Sequence, residues 1–148
     1  MGRVRRILHP TDFSRASSAA FARAVRMAKA DRAQLLLVHV LAPPEPIAGE
    51  GYISPEFYDD IETSARRYAE KHLSGLQAKA RKAGARTATL LLEGVAHERI
   101  IRAARSKKAD VIVIGTHGRT GLAKFFLGSI ASRVVAGASC PVLTVRGR

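Results

Sequence analysis

The order of apolar runs along the chain predicts an α/β fold, in which parallel strands are joined by right-handed crossovers and helices cover both faces of the sheet. Three observations carry that expectation. Val111-Ile-Val-Ile114 is an unbroken β-branched run, the composition of a strand covered on both faces. Short apolar runs alternate with stretches of helical periodicity throughout, and that order implies parallel strands. Between two such runs, a segment opens on Ser54-Pro55-Glu56 and closes on Lys79, Arg81, Lys82 and Gly84. Those are a cap, a proline at the first helical position, a basic last turn and a terminating glycine.

In chain order, Val4 to His9 reads as the first strand, stopped at Pro10 by a missing N–H and a fixed φ. Thr11-Asp12-Phe13-Ser14 then leads into a helix whose apolar stripe is Phe21, Ala24, Val25 and Ala28. Asp12 either caps that helix or meets a ligand, because ligands in α/β sheets bind beyond the carboxyl ends of strands. Leu35 to Leu41 is the second strand, with His39 read as a packed core histidine. Ala42 to Gly51 has the proline and glycine content of a surface connection, and is either a tolerated insertion or a lid. The long helix after Ser54 is expected to turn Phe57, Ile61, Tyr68, Leu76 and Ala80 inward. Ala88 to Leu92 is the third strand, and Val95 to Ser106 a helix with Ile100, Ile101 and Ala104 as its apolar positions; His72 and His97 fall on helix flanks. Val111 to Ile114, a helix over Ser129 to Ala136 and an apolar closing run from Ser139 to Val145 complete the chain.

A length of 148 residues, 47% of them hydrophobic, suits one domain over 1–148 with one substantial core. The apolar runs are too short to cross a membrane and the N-terminus has no apolar signal core, so a cytoplasmic location is expected. Cys140 is the only cysteine, which removes any intrachain disulfide; a packing role is expected for it. The formal net charge of +13 attracts polyanions. Yet aromatics are only 5%, no RNA-binding signature is present and the basic residues form no run, so specific nucleic-acid readout is not expected. Acids gather at Glu45, Glu50, Glu56, Asp59, Asp60 and Glu62, whereas no acid follows Asp110.

That acid-free end contains Gly115, Gly118, Gly121 and the pair Gly128-Ser129, with Arg119 and Lys124 between them. Glycines let a loop turn N–H groups inward as an anion-binding concavity, and Ser129 would sit near a helix N-terminus, where a phosphate is favoured. The same glycines would also serve a loop that only turns the chain. Neither G-x-G-x-x-G nor a P-loop lysine is present. His117, between two of the glycines, has no orienting acid nearby in sequence, and no catalytic residue is assigned.

The literal spacing Gly115-x2-Gly118-x9-Gly128-Ser129 strongly resembles the signature of the ATP-binding universal stress proteins. The resemblance extends to Ile7-Leu-His-Pro-Thr-Asp-Phe-Ser14, Leu36-Leu-Val-His-Val40 and Ser139-Cys-Pro-Val-Leu-Thr-Val145. It implies a five-stranded parallel sheet that binds ATP. By resemblance, Pro10, Thr11, Asp12 and Val40 frame adenine and ribose. Gly115, Gly118, Gly128, Ser129 and Ile130 supply contacts to ribose and phosphates, with Arg119 as a further candidate. Mg²⁺ or Mn²⁺ would arrive with the nucleotide and meet Asp12. The family usually pairs into homodimers, here through the closing strand near Cys140 to Val145, and its role is regulatory binding in stress response, with at most slow hydrolysis.

Overall fold

A computed structural model describes residues 2–43, 51–117 and 127–147. Its elements are β1 (Arg6–Pro10), α1 (Ser17–Asp31), β2 (Gln34–Leu41), α2 (Pro55–Lys82), β3 (Arg86–Glu93), α3 (Ala96–Ser106), β4 (Val111–Gly115), α4 (Ser129–Gly137) and β5 (Val142–Val145). The five strands form one sheet in the order β3-β2-β1-β4-β5, and every neighbouring pair is parallel.

Alternation along the strands sorts the core into two layers. Ile7, Leu35, Leu37, Val111 and Val113 face one side, where Ala20, Ala24 and Ala28 of α1 and Leu73 and Ala80 of α2 pack against them. Leu8, Val38, Ile112 and Ile114 face the other, under Ile100, Ala103 and Ala104 of α3 and Ala131 and Val134 of α4. Burying one such strand side chain contributes about 1.5–3 kcal/mol. The ion pair Arg66–Glu93, half open to water, belongs to a class worth at most about 1 kcal/mol, so packing on the two faces holds the fold.

The inward face expected for α2 is half right. Ala80 is buried and Leu76 packs on the core, but Phe57, Ile61 and Tyr68 are 48%, 41% and 48% exposed. Length is the reason. At about 1.5 Å per residue the 28 residues of α2 run roughly 42 Å, whereas the eight-residue strands below it run about 26 Å. The first half of the helix therefore continues the apolar stripe past the end of the sheet. Part of the connection before α2, residues 44–50, lies outside the described residues. β3 is longer than the expected Ala88 to Leu92, and β5 begins only after Pro141, which cannot donate to a ladder.

His9 sits inside the first layer with no exposed surface. Its Nδ1 lies 2.8 Å from the Val113 carbonyl oxygen, an acceptor, so Nδ1 carries the proton; Nε2 is buried without a partner among the described residues. Burial lowers its pKa from 6.5 to about 4, against smaller upward pulls from Val113 and Asp12. The folded state thus binds this proton more weakly than the unfolded chain. Its contribution is intact above about pH 6.5 and is lost as pH falls toward 4. By that linkage, about 2 kcal/mol is forfeited at pH 5. Urea unfolding of the parent at pH 7 and pH 5 should show this extra loss relative to His9→Gln, which keeps a donor and does not titrate; equal losses would contradict it.

Candidate functional site

The order of the strands reverses beside β1, and at that point crossovers leave on opposite faces of the sheet, opening a crevice beyond the carboxyl ends of β1 and β4. A cavity of about 410 Å³ lies there, within the range of small-molecule sites. Val38, Val40, Ile100 and Ile114 give it apolar walls; Thr11, Asp12, Ser17, His39, Thr116, His117 and Ser129 add polar groups. Of the residues singled out in the sequence, Pro10, Thr11, Asp12, Val40, Gly115, Gly128, Ser129 and Ile130 all line it. Gly118 and Arg119 fall outside the described residues, as do Gly121 and Lys124.

The loop after β1 is held by its own polar groups. Thr11 N–H donates to the Val38 carbonyl at 2.8 Å, and its Oγ1 accepts from Phe13 N–H at 3.0 Å and lies 3.2 Å from Ser17 Oγ. Asp12 does not cap α1. Its Oδ1 accepts from Ser14 N–H at 2.9 Å, while α1 starts at Ser17 with Ala16 in the cap position. Phe13 adopts φ 64°, a left-handed conformation that a bulky side chain disfavours. Ring contacts hold it: it stacks on His39 at 4.4 Å and 29°, tilts against His72 at 5.2 Å, and meets Tyr68 edge-on at 6.0 Å. His39 is half-buried and donates from Nδ1 to the Thr11 carbonyl at 2.7 Å. It forms part of the cavity wall, not simply the core. The sequence signal was its position one residue before Val40, at the end of an otherwise apolar strand.

Ser17, Ala96 and Ser129, the first residues of α1, α3 and α4, all line the cavity. The cap residues Ala16, Val95 and Gly128 make no side-chain cap bond. Ser14 Oγ reaches Ser17 N–H at 3.3 Å in α1, which leaves α3 and α4 as the open ends. By contrast α2, whose start does not line the cavity, is capped by Ser54; a first-turn acid is found in both α2 (Glu56) and α3 (Glu98) and does not distinguish them. Uncapped N–H groups and the helix dipole together favour an anion. Ser17 and Ala96 were not distinguished in the sequence, because nothing local marks a helix start that lacks its cap, and Ile100 was read only as an apolar position of α3.

His117 Nδ1 lies 2.9 Å from Thr116 Oγ1, a hydroxyl in the place where a general base would have an orienting carboxylate. Among the described residues no cluster of three or more metal-ligating side chains occurs.

The model of the universal stress protein family matches residues 3–146. The universal stress protein MJ0531 of Methanocaldococcus jannaschii is 35% identical over 144 residues, covering 96% of this chain and 82% of that protein. The solved structure of MJ0577, from the same organism, superposes with a TM-score of 0.86 at 25% identity over 99% of both chains. A universal stress protein from Archaeoglobus fulgidus, solved in complex with dAMP, superposes with a TM-score of 0.67 at 25% identity, over 98% of this chain and 100% of that one.

Gly128 seats the start of α4 against β4: its N–H donates to the Thr116 carbonyl at 2.6 Å, and a methyl group added there would lie 2.8 Å from that oxygen. Gly128→Ala should therefore cost about 1–3 kcal/mol in urea unfolding. Gly75→Ala, at a mid-helix site with nothing within 4 Å, should stabilise by about 0.5–1 kcal/mol. Equal effects of the two substitutions would contradict the crowding at Gly128.

Proposed function

The chain belongs to the universal stress protein family, and from that premise we propose that it is an adenine-nucleotide-binding regulatory protein of the stress response, working in the cytoplasm by binding and not by fast catalysis. The observation that carries this reading is the pair of uncapped starts of α3 and α4 opening onto one cavity with apolar walls. An adenine suits the apolar side by Val40. The N–H groups at Ser129 and Ile130 would take phosphate oxygens, and Ser17 and Thr11 offer hydroxyls. Gly118 and Arg119 keep the roles that the family resemblance implies for them. The relative solved with dAMP supports the ligand class.

ATP with Mg²⁺ or Mn²⁺ is the expected occupant. Among the described residues Asp12 is the one carboxylate on the cavity wall, a donor set that fits an ion carried in by phosphates better than a cage of protein ligands. Asp12 would share that ion or the ribose hydroxyls. The neighbour of His117 is the Thr116 hydroxyl and not a carboxylate, so slow hydrolysis at most is expected.

Assembly as a homodimer through β5 completes the proposal. β5 is an edge of the sheet. The carbonyls of Pro141 and Val145 accept from Ile112 and Thr116 of the β4 side, so by strand alternation the N–H groups of Val142 and Thr144 point outward. Such an edge invites pairing, and two copies running antiparallel give a self-complementary contact.

Calorimetry with ATP and Mg²⁺ should give a dissociation constant on the order of micromolar, abolished by Gly128→Val; absence of heat up to about millimolar ligand on folded, nucleotide-free protein would overturn the reading. For assembly, light scattering should give a dimer that Thr144→Pro shifts to monomer, because proline removes an outward donor and spares the β4 ladder. A parent that stays monomeric at every concentration would exclude this interface.

A further inference from the structure

We propose that the pole opposite the cavity is a binding surface for the phosphate backbone of double-stranded nucleic acid. Basic residues that form no run in the sequence gather there, because a parallel sheet brings all strand beginnings to one end. Arg3 and Arg5 precede β1, Arg32 precedes β2, Arg86 opens β3, and Lys107 and Lys108 precede β4; all are exposed. Cross-strand bonds tie them together. The Arg3 guanidinium donates to the Asp31 carbonyl, Arg86 to the Arg32 carbonyl at 3.0 Å, and Arg6 to the Lys107 carbonyl at 2.8 Å. Two acids, Asp31 and Asp110, are found among them, and the Asp110 carboxylate already accepts the N–H groups of Arg5 and Arg6 at 2.8 and 2.9 Å.

Compensation of helix dipoles explains Lys29, Arg81, Lys82 and Arg105 in the last helical turns. It extends to Arg32 and Lys107, the C-cap residues of α1 and α3, but not to Arg3, Arg5 and Arg86, which precede or open strands. Three helix-to-strand turns at this pole share one geometry, in which the residue after a left-handed position donates back to the helix: Ala33 to Ala28, Ala85 to Ala80 and Ala109 to Ala104, at 2.8, 3.0 and 2.8 Å. That left-handed position is the usual place for glycine. Gly84 fills it in the turn after α2, at φ 97°, but Arg32 and Lys108 fill it after α1 and α3, both at φ 53°. Two cations therefore occupy disfavoured conformations at the tips of the surface, as residues retained for function do.

The chemistry selects the partner. Of the large exposed apolar residues among the described ones, Tyr52, Phe57, Ile61, Tyr68, Val95, Leu127 and Ile130 lie away from this pole, and the one at this end is Val135, a single small side chain in the last turn of α4. The surface thus offers neither anchors for insertion into a lipid surface nor aromatic platforms for the bases of a single strand. From β3 to β4 it spans three inter-strand gaps, roughly 15 Å, broad enough for the phosphate rows of a duplex. Contacts to phosphate alone make binding independent of sequence and steep in salt.

Fluorescence anisotropy with a labelled duplex of about 20 base pairs should show micromolar binding at about 50 mM salt, weakening steeply by about 200 mM. Arg32→Gly with Lys108→Gly, which relieves both strained turns, should leave the melting temperature unchanged or raised. It should weaken binding about tenfold and lower the salt slope by about two units. Arg67→Gln with Lys71→Gln, which removes two exposed cations of α2, should leave affinity within about twofold, as expected for cations that touch no phosphate. The proposal fails if the duplex does not bind, if both double variants weaken binding equally, or if a single strand of equal length binds about tenfold tighter, the mark of base stacking. Capture by phosphatidylglycerol vesicles that excess duplex cannot reverse would likewise overturn it.

Discussion

The common direction of the five strands is the constraint on which the rest depends. Once β1 to β5 run parallel, every helix that returns the chain must run the opposite way, with its N-terminus at the end where the strands finish. Partial positive charge and unpaired N–H groups then collect at one pole, and helix C-termini with their carbonyls at the other. The side chains follow that polarity. The cavity pole leaves α3 and α4 uncapped, whereas the far pole carries basic last turns and basic left-handed residues.

Within the cavity pole, the loop after β1 is coupled to a helix that forms none of the cavity wall. Phe13 follows Asp12 directly and reaches His72 and Tyr68 of α2, while its stacking partner His39 holds the Thr11 carbonyl. The middle of α2, at Tyr68 and His72, is thus in ring contact with the strained residue that follows Asp12.

Much of this was legible in the residues. The β-branched run at Val111 to Ile114 and the alternation of strands and helices predicted the layers, and the motif residues around Pro10, Val40 and Gly128 do meet at one cavity. What was not legible depends on distance across the fold. Periodicity alone made Phe57 and Ile61 look buried, because a stripe says nothing about where the sheet ends. His39 looked like core because a wall of a cavity and the middle of a core differ only in what lies opposite. The basic pole was invisible for the same reason: Arg5, Arg32, Arg86 and Lys108 are far apart in sequence, and the sheet brings them together.

The central claim, that the cavity and not the basic pole is the nucleotide site, is tested most directly by amide NMR during titration with AMP. Saturable shifts are expected at Thr11, Val40, Ser129 and Ile130, with Arg32 and Lys108 unmoved. Unmoved amides at Val40 and Ser129, or shifts confined to Arg32, Lys108 and their neighbours, would contradict it.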